Sequence, residues 1–180
     1  ETTRHLGQWR FQAFGEGMSI GVMRFKKSFD FDEATLTNIR LYNEAAASTN
    51  GVPDGADVDL GNGVWSDADP LIGGGAGNND TLTFTFALRS VADAGTENYL
   101  LVGTFAGASG NYQLEIADPA TAIEGNGDTS NVGGGASSAT AITAQEGGAG
   151  KPYQGPNLEI VGLMTITDAD ATAGTTNVTQ

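Results

Sequence analysis

The chain has 180 residues, no cysteine, and 22 acidic against 8 basic residues, for a formal charge of −14. That length suits a single domain with a genuine core. The missing cysteines exclude disulfides and thiolate metal sites, and the acidity argues against a nucleic-acid phosphate or an anionic membrane surface as partner.

The charge is unevenly spread. Residues 1–40 hold six basic side chains (Arg4, Arg10, Arg24, Lys26, Lys27, Arg40) against five acids, a net of +1; the other 140 hold two against 17, a net of −15. Such an asymmetry can orient one subunit against the next. Glycine, at 27 residues, is abundant while Lys and Arg are scarce. Apolar-alternating runs joined by Ser/Thr/Asn/Asp/Gly connections are the composition of an all-β protein.

In chain order, residues 8–14 (QWRFQAF) put Trp9, Phe11 and Ala13 on one side and Arg10 and Gln12 on the other, a period-two strand. Past Gly15 and Gly17, Met18, Ile20 and Val22 alternate with Ser19, Gly21 and Met23, and an aromatic and basic stretch runs on to Phe31. Residues 32–47 are the one stretch with a helical composition, but Thr and Ile favour a strand over 35–42, with Leu36 or Ile39 and Leu41 inward. Residues 43–80 read as a long Gly/Asp/Asn loop. The clearest strand is 81–88 (TLTFTFAL), where Leu82, Phe84, Phe86 and Leu88 alternate with polar or small residues. Strands over 99–105 and 112–116 follow, then a second long loop over 117–156. Residues 158–167 (LEIVGLMTIT) are apolar on both faces and read as a central strand. The expected architecture is a β-sandwich or jelly roll of about seven or eight strands. Its expected organisation is a tail and exchangeable strand over 1–14 and one domain over 15–180.

The densest oxygen-rich motif comprises Asp54, Asp57, Asp59 and Asn62, followed by Asp67 and Asp69. Closely spaced carboxylates and turn carbonyls are what Ca²⁺ requires, so this stretch is the candidate metal site, although it lacks the closing Glu of an EF-hand. The same residues also favour ordinary turns. His5 is the only histidine, which argues against a Ser–His–Asp triad or a multi-histidine metal site. Glu115 and Glu159 lie in strands with nothing to bring them together as a carboxylate pair. Gly73–Gly75 and Gly133–Gly135 lack the Lys-Ser/Thr of a phosphate loop, so no catalytic role is expected. Asn79 and Asn177 head glycosylation sequons, and Trp9, Trp65, Tyr42, Tyr112 and Tyr153 are the aromatics available for stacking on a sugar.

Glu1 reads as a mature end left by leader removal, although a trimmed chain would begin the same way, and the expected location is extracellular or at the cell surface. No apolar run is long enough for a bilayer-spanning helix. Residues 1–14 suit addition to the open sheet edge of a neighbouring copy, with Trp9, Phe11 and Ala13 filling pockets and Arg4 and Arg10 meeting its acidic body. The alternative use of that strand is as the first of its own sheet. The functional expectation is a secreted structural subunit of a head-to-tail homopolymer: a filament, pilus-like fibre or surface lattice. The alternative is a calcium-dependent carbohydrate-binding or adhesin module, and a viral coat or decoration protein is the third reading.

Overall fold

The computed structural model describes residues 2–13, 15–28, 31–46, 51–66, 81–106, 110–116, 122–128, 133–134, 153–154 and 158–160. Seven longer strands make its frame: β1 (Thr2–Gln12), β2 (Met18–Lys27), β3 (Leu36–Glu44), β4 (Val58–Asn62), β6 (Thr81–Val91), β7 (Thr96–Phe105) and β10 (Ile123–Gly127). Between and after them lie β5 (Val64–Ser66), β8 (Gly110–Tyr112), β9 (Leu114–Ile116), β11 (Gly133–Gly134), β12 (Tyr153–Gln154) and β13 (Leu158–Ile160). The described residues are nearly all β, with a 3₁₀ turn at Glu33–Thr35. The strands outnumber the seven or eight expected because those of two or three residues are too short to show an alternating pattern. Among the described residues no helix is long and apolar enough to cross a membrane.

Two antiparallel sheets pack against each other. One has the order β1-β7-β3-β4; the other runs β11-β10-β2-β6-β5, with β9 also paired to β2 and β12 to β9. β13 and β8 form a separate two-stranded ribbon. The core lies between the two main sheets. Trp9 of β1 meets Phe25 of β2 at 4.8 Å between ring centres, and Phe25 meets Phe84 of β6 edge-on at 5.8 Å. Met23, Leu41, Leu82, Leu101, Leu114 and Ile123 are fully buried around them.

Each inward set follows from period two until a register break moves it. The break between Ile20 and Val22 puts Met23, Phe25 and Lys27 inward, so Met23 rather than Val22 joins the core. Asn38, at φ 49°, sits in the break between Thr37 and Arg40, so both Leu36 and Ile39 are buried ahead of Leu41. On β6 the three residues Phe86–Leu88 face the single Gly21 across the same break in β2; Leu82 and Phe84 stay in the core while Leu88 turns out, 63% exposed.

The segment 43–80 is not one loop, since β4 and β5 lie inside it. The chain leaves the first sheet after β4 and enters the second at β5 through Gly63, whose N–H donates to the Ile39 carbonyl at 3.0 Å. Segment 117–156 likewise contains β10, which pairs with β2. The helical alternative for 32–47 is overturned: Asp32 caps the 3₁₀ turn through its side chain, and β3 follows at once. β7, flanked by β1 and β3, is a central strand buried on both faces, and most of the strand expected over 158–167 lies outside the described residues. Of that stretch only 158–160 are described, and among the described residues they pair with β8. Leu100 and Val102, on the face of β7 away from the core, are buried beneath their cross-strand neighbours Gln8, Tyr42, His5 and Arg40.

Candidate functional site: the edges of the four-stranded sheet

β1 forms an edge. It pairs with β7 over ten residues, from Thr2 opposite Phe105 to Gln12 opposite Thr96, and among the described residues no strand pairs with its outer side. Its C-terminal end is pinned to the β6–β7 turn: Ala13 N donates to Gly95 O at 3.2 Å and Ala94 N donates to Ala13 O at 3.1 Å. Leu6, Trp9 and Ala13 are buried, and Phe11 stacks edge-on against Tyr99 at 5.3 Å. The N-terminal strand is therefore the first strand of its own subunit's sheet in this structure, and the strand begins at Thr2 rather than near residue 8. Arg4 and Arg10 stay exposed, and neither forms an ion pair among the described residues. Three of the other four cations of residues 1–40 are in ion pairs: Arg24 with Glu124, Lys27 with Glu33 and Arg40 with Asp59.

β4 is the opposite edge of the same sheet, and the acidic motif surrounds it. Asp57 ties the loop together, accepting from Ala45 N at 3.0 Å and Asp54 N at 2.9 Å. Asp54 accepts from Ala56 N and Asp59 from Gly61 N, both at 2.8 Å. Gly61, at φ 105°, supplies the left-handed residue at the register break between Leu41 and Tyr42. These are side-chain-to-backbone turns of the kind Asp favours. Asp59 also holds Arg40, and this hydrogen bond and charge push the guanidinium's pKa up. Asn62, the fourth member, pairs with Arg40 across the strands. Asp67 and Asp69 lie outside the described residues, as do Asn79 and Asn177. No group of three or more His, Asp or Glu side chains is gathered as a metal would need among the described residues.

Of the aromatics considered for sugar stacking, Tyr153 has no described side chain. Trp9 and Tyr112 are buried, and Trp65 is half-buried and packs edge-on to Phe31 at 6.2 Å. Tyr42, half-buried, is the cross-strand partner of Leu100 on β7. Glu115 accepts from Ser28 Oγ at 2.7 Å, and its strand β9 belongs to a different sheet from the β13 of Glu159.

Sequence reasoning missed a buried polar cluster at one end of the core. Asn43 donates to Glu97 Oε2 at 2.8 Å and accepts from Arg89 at 3.0 Å, so one amide bridges a carboxylate on β7 and a guanidinium on β6. Beside it the Tyr99 hydroxyl is buried and has no hydrogen-bond partner among the described residues. Burial, then the Glu97 charge, push its pKa up, with Arg89 opposing. The only signal in the sequence is Asn43, polar at a position where the β3 alternation calls for an apolar residue.

Removing that hydroxyl has a defined outcome. Tyr99→Phe should leave stability unchanged or raise it by about 1 kcal/mol, because an unpaired buried polar group is lost with little volume. The folded-state pKa lies above the unfolded value of 10.0, so the wild type should lose stability as pH rises past that point. Tyr99→Phe should lose less, as read from urea midpoints between neutral and alkaline pH. A loss above about 1 kcal/mol at neutral pH would mean the hydroxyl is bonded after all.

Comparison with protein-family models, curated proteins and solved structures finds no match to this chain. The functional reading rests on the sheet edges themselves.

Proposed function

We propose that this chain is a secreted, extracellular β-sandwich subunit that assembles head to tail with copies of itself through β1, in a structural rather than catalytic role. The observation that carries the reading is the outer side of β1. It is an eleven-residue edge strand without Lys or Pro, bearing two exposed arginines that form no ion pair among the described residues, on a chain of net charge −14. Edge strands in monomers are ordinarily kept short or obstructed by Lys, Pro or bulges, since their free N–H and C=O groups recruit further strands. On β1 itself the devices present are the register break at Leu6 and the charges of Arg4 and Arg10, which repel a second β1 but not an acidic edge. Exchange of β1 between copies would serve the same assembly, with identical contacts re-formed in the neighbour. It would first require withdrawing Leu6, Trp9 and Ala13 from the core, so addition at the open edge is the lower-barrier route.

Deleting residues 1–14 would strip the core as well as the edge, so charge reversal is the cleaner test. The double variant Arg4→Glu/Arg10→Glu should raise the concentration needed for assembly at least about tenfold. Because both side chains are exposed, its melting temperature as a dispersed protein should change by no more than about 2 °C. Sedimentation velocity across a concentration series reads the first effect and calorimetry the second. Unaltered assembly of the double variant would rule out the β1 edge as the contact.

A further inference from the structure

We infer that the acceptor of the β1 edge is the β4 edge of the next copy, so that assembly continues the four-stranded sheet from subunit to subunit; this rests on the assembly role proposed above. β1 and β4 close the two ends of one sheet in the order β1-β7-β3-β4. They are oppositely charged. β1 carries Arg4 and Arg10 and no acid, whereas β4 and the turn leading into it carry Asp54, Asp57 and Asp59 against the single Arg40 of the adjoining β3. Asp54 and Asp59 are exposed, and Val58 adds an apolar side chain 41% exposed at the same edge.

The charges also set direction. Two β1 edges would oppose arginine to arginine, and two β4 edges carboxylate to carboxylate; like charges facing each other across strands are destabilising. Only β1 against β4 pairs unlike charges. That contact is heterologous and uses different surfaces of each copy, so it repeats rather than closing on itself after one dimer. The five residues of β4 and the break at Gly61 limit the paired stretch, so each contact is weak and order comes from repetition along the fibre.

The chain has no cysteine of its own, which makes cross-linking decisive. Single-cysteine proteins Thr3→Cys or Gln12→Cys on β1 would be mixed with Val58→Cys or Asn62→Cys on β4, allowed to assemble and treated with a short bifunctional thiol reagent. Each molecule carries one thiol, so every product joins two copies. The expected result is covalent dimer in the β1–β4 mixtures at least about tenfold above either protein alone. Assembly with β1 cross-linked instead to itself, or to Val64→Cys on the β5 edge of the other sheet, would overturn β4 as acceptor while leaving assembly standing. Assembly in which no β1–β4 pairing cross-links would overturn it equally. The absence of both polymer and cross-link would remove the assembly reading, and this inference with it.

Discussion

Replacing Phe25 with Ala is expected to cost about 3–5 kcal/mol, the range for deleting a fully buried aromatic side chain. Phe25 is wholly buried and touches rings of both sheets, Trp9 at 4.8 Å on one side and Phe84 at 5.8 Å on the other. Its cross-strand partner Leu82 and the nearby Met23 are themselves fully buried in paired strands and cannot collapse far into the void, so the cavity term adds to the lost transfer energy. A domain of this size has roughly 5–15 kcal/mol of stability in all, so the variant should sit near the limit of folding at physiological temperature. Urea unfolding on the Arg4→Glu/Arg10→Glu background keeps self-association out of the measurement. A loss under about 1.5 kcal/mol would mean that the two sheets do not bury Phe25 between them.

The second large effect is expected at Gly63, where the chain steps from one sheet to the other. A Cβ there would lie 2.5 Å from Leu82 Cδ1 and 2.7 Å from Phe84 Cζ. Both side chains are fully buried and held on β6, so neither yields without moving the core. Gly63→Ala should therefore destabilise by about 1–3 kcal/mol through overpacking. Trimming the obstacle should restore part of the loss. In the double variant Gly63→Ala/Leu82→Ala the added methyl enters space vacated by the leucine, giving a coupling of about 0.5–3 kcal/mol in the favourable direction. Strict additivity of the two changes, measured by urea unfolding, would show that Gly63 and Leu82 do not meet.

The class of the fold and the inward faces of its longer strands were legible from alternation, while their exact registers were not. Trp9, Phe11, Ala13, Leu82 and Phe84 face inward as period two dictates. Each register break changes which residues face inward beyond it, and nothing in the local apolar pattern announces it. Met23 replaces Val22, Leu36 and Ile39 are both buried, and Leu88 turns outward for this single reason. β4 and β5 were hidden by glycines at 61 and 63, which read as loop residues yet serve as a bulge and a corner. The carboxylates of Asp54, Asp57 and Asp59 suit both ligands and turn formers, because both roles need the same oxygens at the same spacing. Only the folded backbone distinguishes the N–H groups they accept from. The basic character of β1 was plain in the sequence, but that β4 lies at the far end of the same sheet depends on strand order, which no local pattern encodes.

The most direct test of head-to-tail assembly through β1 is negative-stain electron microscopy of the wild-type protein beside the Arg4→Glu/Arg10→Glu variant at equal concentration. Regular filaments or a lattice in the wild type and dispersed single particles in the variant are the predicted result. Dispersed wild-type particles, or polymers that persist unchanged in the variant, would contradict it.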